Sequence, residues 1–138
     1  KVSQVVDSGM IPHASLLVLS EGTLSIGAIK ALEASAERLG HGQGIAFLDT
    51  SCLDDPRILL AVHECDPWDV VAVDEQSMAK LKAAFGEAAL SFAPGAPVEA
   101  RGYLLVAGPG FEECLYDQAA KRVAWGRLKA AAYPKVPY

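Results

Sequence analysis

The stretch SLLVLSEGTLSIGAIKALEASAERLG, residues 15–40, decides the fold class. Its first five residues form an apolar run bounded by polar neighbours, too short for a helix and typical of a buried strand. Ile26, Ile29, Leu32, Ala36 and Leu39 then recur at helical spacing, and Gly40 supplies a natural C-terminal stop. A strand without polar alternation that runs straight into an amphipathic helix is half of a βαβ crossover.

The same unit repeats along the chain. Gly44 to Leu48 reads as a second strand, and Asp54-Asp55-Pro56 as a helix start, an N-cap acid followed by Pro at the first helical position, with the helix reaching about Glu64. Asp69 to Val73 is the third strand, with Ser77 as the cap of a helix through Met78, Leu81 and Phe85 to Gly86. SFAPGAPVE, residues 91–99, is a Pro/Gly-rich connection, and Tyr103 to Ala107 is the fourth strand. A last helix begins near Gly110 and places Phe111, Leu115, Ala119 and Val123 on one face. Its acids Glu112, Glu113 and Asp117 come early and its bases Lys121, Arg122, Arg127 and Lys129 late, which suits the helix dipole. Parallel strands need crossover helices, and those helices cover both faces of the sheet. The expectation is one α/β domain over residues 1–138, a three-layer α/β/α sandwich around a central, mostly parallel sheet of about four strands.

Composition narrows the function. A length of 138 residues buries a core without disulfide or metal staples. A net charge of −5 opposes the basic footprint that phosphate-backbone binding requires, so nucleic acid is a disfavoured partner. No apolar run approaches a membrane span, and KVSQVVDSGMIPHA at the start lacks the continuous apolar core of a signal peptide. Cys52, Cys65 and Cys114 are odd in number and widely spaced, which predicts free thiols and a cytoplasmic setting. His13, His41 and His63 have no nucleophile or ligand spacing around them and are expected to be structural or surface residues. Trp68 and Trp125 are expected to pack rather than to stack on a ligand.

In open α/β sheets ligands bind beyond the carboxyl ends of the strands. Those ends are Ser20-Glu21-Gly22-Thr23, Asp49-Thr50-Ser51-Cys52, Asp74-Glu75-Gln76-Ser77 and Gly108-Pro109-Gly110. The candidate ligand-binding residues are therefore Ser20, Glu21, Gly22, Asp49, Thr50, Asp74, Gly108 and Gly110. Glu21, Asp49, Asp74 and Glu75 sit at three neighbouring strand ends and could converge on Mg²⁺. The favoured account is that such acids cap helices and face solvent, and no metal site is assigned. The hydroxyls of Ser20, Thr23 and Ser25 before a helix could cradle phosphate, but Glu21 repels it and plain capping is favoured.

A family resemblance enters at the C-terminus. GPGFEECLYDQAAKRVAWGRLKA, residues 108–130, resembles the closing motif of the small bacterial and archaeal uracil-DNA glycosylases, notably at Lys121-Arg122-x-Ala124-Trp125. LLVLSEG (16–22) resembles their first strand and Gly-Glu-x-Pro-Gly loop, FLDTSC (47–52) their strand ending in Thr-Asn, and PWDVVAVDEQSMAKL (67–81) a following strand and helix. The resemblance implies the three-layer fold and a cleft for a flipped base. In that family a His at the end of the last strand stabilises charge on the departing uracil. Gly108 stands at the matching position, so the resemblance also implies lost excision. Many of these enzymes hold an iron–sulfur cluster on four cysteines, the last two falling near Cys52 and Cys65. The other two are missing, so no cofactor is expected.

The functional expectation is a uracil-DNA-glycosylase-like domain without catalysis, taking a nucleobase, nucleotide or other small ligand at the strand ends. One alternative is a Mg²⁺-dependent phosphoryl-transfer or nuclease-like domain. Glu21-Gly22 and Asp74-x-Gln76 resemble the Toprim pattern, with Gln76 where a second Asp is wanted. The other alternative is a non-enzymatic interaction domain that self-associates, as a homodimer, through an exposed helix or the Tyr133–Tyr138 tail.

Overall fold

The computed structural model describes residues 3–5, 14–38, 44–89 and 97–108, and beyond them residues 111, 117, 119, 122, 123 and 126. Its elements are β1 (Ser3–Val5), β2 (Leu16–Ser20), α1 (Ile26–Arg38), β3 (Ile45–Asp49), α2 (Asp55–Cys65) and β4 (Asp69–Ala72). There follow α3 (Glu75–Phe85), a 3₁₀ turn (Gly86–Ala89), β5 (Val98–Ala100) and β6 (Tyr103–Ala107). The strands form one sheet in the order β1-β3-β2-β4-β6-β5, parallel throughout except for the β5–β6 pair.

The unbroken apolar character of β2 puts it inside the sheet with both faces covered. Leu16 and Leu17, Val18 and Leu19 are all essentially inaccessible. Leu17 and Leu19 join Leu48, Val70 and Leu105 under α2 and α3, while Leu16 and Val18 join Phe47, Val71 and Val106 under α1 and Phe111. From β2 the chain steps to β3 on one side and then crosses to β4 on the other. Helices consequently lie on both faces, giving the expected three layers. The reversal also makes the carboxyl ends of β2 and β4 a topological switch point, where a crevice opens in folds of this kind.

The local signals act as chain chemistry requires. Asp54 caps α2, its side chain accepting from the Arg57 amide at 3.1 Å, with Pro56 in the first turn. The helix ends at Asp66 in a left-handed conformation (φ 51°), which short polar residues tolerate, and Pro67 prevents continuation. Ser25 caps α1 by accepting from the Ala28 amide at 3.1 Å.

Several expectations need correction. The sheet has six strands rather than about four. The additions are the three-residue strands β1 and β5 at its edges, whose length is too small for periodicity to register. Val98 and Glu99, read as connection, begin β5, which turns back through Arg101 (φ 52°) and Gly102 to pair with β6. Ile26 does not join the buried face of α1; it is 73% exposed, and Ala28, Leu32 and Ala36 carry that face, because at 3.6 residues per turn Ile26 lies about 120° around the helix from the centre of that stripe. Outside these corrections, Trp68 is partly covered, at 42% exposure. In the last segment Phe111 is buried but Ala119 and Val123 are exposed, so the expected stripe is not continuous. Leu39, Leu115, Cys114, Trp125, His13 and His41 lie outside the described residues. Among the described residues no helix is long and apolar enough to cross a membrane.

This placement of α1 predicts a contrast between two of its residues. Leu32→Ala should lower stability by roughly 2–5 kcal/mol, as core truncations do, whereas Ile26→Ala should stay within about 0.5 kcal/mol. Urea unfolding of the two variants measures both. A loss at Ile26 equal to that at Leu32 would contradict the assigned face.

Candidate functional site

The loops after β2, β3 and β4 meet at the switch point, and they are joined by carboxylates. Asp74 is the N-cap of α3. Its Oδ1 accepts from the Ser77 amide at 2.8 Å, and the Ser77 hydroxyl lies 3.4 Å from the Asp74 amide, completing a capping box. The sequence suggested Ser77 as the cap. It is instead the third helical residue and the reciprocal partner, because Asp74 already occupies the extended position before the helix. The second oxygen of Asp74, Oδ2, accepts from the Glu21 amide at 2.8 Å, so one side chain joins the start of α3 to the loop after β2.

Asp49 does the same from β3. Its Oδ1 accepts from the Gly22 amide at 2.8 Å and from the Ser51 amide at 2.9 Å. Burial opposes the charge on Asp49, but the amide and hydroxyl of Ser51, the Gly22 amide and the Lys80 ammonium outweigh it and hold the carboxyl below its ordinary value. Gly22 accepts this geometry with φ 93°, a conformation that side chains resist, which explains glycine there. The Ser20 hydroxyl donates to the Gly22 carbonyl at 2.8 Å.

Glu21 faces the third partner. Its Oε1 lies 3.0 Å from both the Thr50 hydroxyl and Lys80 Nζ. Thr50 is fully buried, and its single hydroxyl proton lies between Glu21 and the Ser20 carbonyl at 3.2 Å. Lys80 also donates to the Thr50 carbonyl at 2.6 Å. Sequence reading missed Lys80. The available signal was its place one turn beyond Ser77 on α3, since helical side chains lean toward the N-terminus and a lysine stem spans that turn to reach the strand ends.

Of the expected ligand residues, the structure therefore brings together Ser20, Glu21, Gly22, Asp49, Thr50 and Asp74. Gly108 stands apart, at the end of β6, its amide donating to the Ala72 carbonyl at 2.8 Å. A glycine there is not required by the backbone. Its φ is not left-handed, and a Cβ would meet the Ala72 carbonyl oxygen at 3.7 Å and a Val71 methyl at 4.0 Å, ordinary contact distances. Gly110 lies outside the described residues.

The acids do not converge on an ion: among the described residues no group of three His, Cys, Asp or Glu side chains is placed to hold a metal. The cysteines also lie apart. Cys52 is exposed in the loop after β3, while Cys65 is buried at the end of α2, its thiol donating to the Ala14 carbonyl at 3.7 Å near the start of β2. The two residues that the resemblance puts near a cluster thus sit at opposite ends of the sheet. Burial, reinforced by the charge of Asp66, pushes the Cys65 thiol up to about 11, so it is a core residue rather than a nucleophile. His63 pairs with Tyr103 (Nδ1 to hydroxyl 2.9 Å), away from the strand ends. No protein-family model matches the chain, and no curated protein sequence matches it.

Two predictions follow from the carboxylate wiring. Asp74→Ala removes a cap and an inter-loop bond together, and should cost roughly 2 kcal/mol or more in urea unfolding; a loss under about 0.5 kcal/mol would contradict the double role. For Asp49, a lowered folded-state value adds stability that is present above the ordinary carboxylate value and lost as pH falls through the folded one. Asp49→Asn should therefore lag the wild type at neutral pH and converge with it in acid. A gap independent of pH would count against the ionised form as the partner.

Proposed function

We propose that the chain is a uracil-DNA-glycosylase-like α/β domain that holds a nucleobase, nucleotide or other small ligand at its strand C-terminal ends without excising it. The end of β6 carries this reading. Cleaving the bond to uracil requires a hydrogen-bond donor where negative charge develops, and Gly108 offers no side chain at a position whose backbone would admit one. Ionised Glu21, Asp49 and Asp74 are acceptors only and cannot replace that donor.

The wiring of the acids also weighs against the metal-dependent alternative. To share one ion, Asp49 and Asp74 would have to release the amides of Gly22, Ser51, Glu21 and Ser77, and Glu21 would have to leave Lys80. An odd number of widely spaced cysteines suits a reducing compartment, which favours the cytoplasm.

A single-stranded oligonucleotide with one uracil, against a thymine control at low salt, tests the reading. The wild type should leave no alkali-labile site yet prefer the uracil strand in binding. Gly108→His should raise excision, by up to on the order of 10²-fold if the restored donor is well placed. Excision by the wild type would overturn the loss of chemistry, and equal binding of both strands would overturn the base pocket.

A further inference from the structure

The contact between Glu21 and the corner formed by Lys80 and Thr50 has the form of a ligand held in a site. The Glu21 carboxylate receives Lys80 on both oxygens, at 3.0 and 3.3 Å, and the buried Thr50 hydroxyl on one. It does so at the switch point between β2 and β4, where this fold class places its ligands. Lys80 has a second partner besides Glu21, the Thr50 carbonyl. Its 2.6 Å bond to the Thr50 carbonyl keeps the ammonium at the strand ends when the carboxylate leaves. Glu21 is followed by Gly22 in a left-handed conformation, and its side chain is 29% exposed, so it can swing outward without breaking the core.

We propose that Lys80 and Thr50 form a carboxylate-accepting subsite, which Glu21 fills in the free protein and which a small carboxylic acid takes by displacing it. Charge selects the class of ligand. Asp49 and Asp74 stay in place, so the vacated corner sets one cation near two anions and favours a singly charged carboxylate over a phosphate. The subsite adds to the ligand role proposed above but does not rest on base recognition. It can stand when uracil binding fails, and fail when uracil binding stands.

Acetate is the direct probe, with sodium chloride at equal ionic strength as the control and phosphate as the contrast. Backbone amide shifts of Gly22, Thr50 and Ser51 are followed by NMR in the wild type, Glu21→Ala and Glu21→Ala/Lys80→Met. Acetate should bind Glu21→Ala saturably, at least about tenfold more tightly than the wild type because the internal competitor is gone. Phosphate should bind more weakly than acetate, and the double variant should lose acetate binding. No saturable shift in folded Glu21→Ala, equal affinity in Glu21→Ala and the wild type, or binding that survives Lys80→Met would each overturn the proposal; so would phosphate binding tighter than acetate. Should Glu21→Ala not fold, Glu21→Ser, whose side chain is too short to reach Lys80, is titrated with the same outcomes.

Discussion

The arrangement of the strand ends depends on the two oxygens of Asp74. One satisfies an amide that the start of α3 would otherwise leave without a helical partner, and the other holds the Glu21 amide across the gap between two neighbouring strands. A parallel sheet whose strand order reverses leaves that gap open, because the two connecting chains depart in opposite directions. Here an aspartate joins its sides. With Asp49 doing the same for Gly22, the loop after β2 is fixed by carboxylates from both flanking strands.

That fixation bears on chemistry. In many α/β proteins free amides beside the first strand receive an anion. In this chain the amides of Glu21 and Gly22 already have anions, supplied by the protein. The same bonds occupy the acids that might otherwise have gathered a metal. Among the described residues at the strand ends, Lys80 with its carboxylate partner and the side-chain-free end of β6 lie outside that wiring.

Much of the architecture was legible because it follows from one-dimensional signals. The apolar runs of β2, β3, β4 and β6, and the Asp54-Asp55-Pro56 helix start, each declare themselves within a few residues. The edge strands β1 and β5 did not, since three residues cannot establish a period and their pairing comes from partners distant in sequence. The face of α1 differs at Ile26 because apolar spacing leaves the rotation of the helix against the sheet open by part of a turn, and the buried stripe centres on Ala28, Leu32 and Ala36. For the site, the sequence marks the acids and the strand ends at which they lie. Which amide each acid takes depends on strand order: Glu21 and Asp74 are 53 residues apart and Glu21 and Lys80 59 apart, separations at which sequence alone carries no pairing signal.

The carboxylates of Asp74 and Asp49 bind the loop after β2. Amide hydrogen exchange at Glu21 and Gly22 tests it most directly, because both amides belong to a loop and owe their bonds to Asp74 and Asp49 alone. Protection close to that of the adjoining β2 amides is expected, lost selectively at Glu21 in Asp74→Ala. Exchange at the rate of an open loop in the wild type would contradict it.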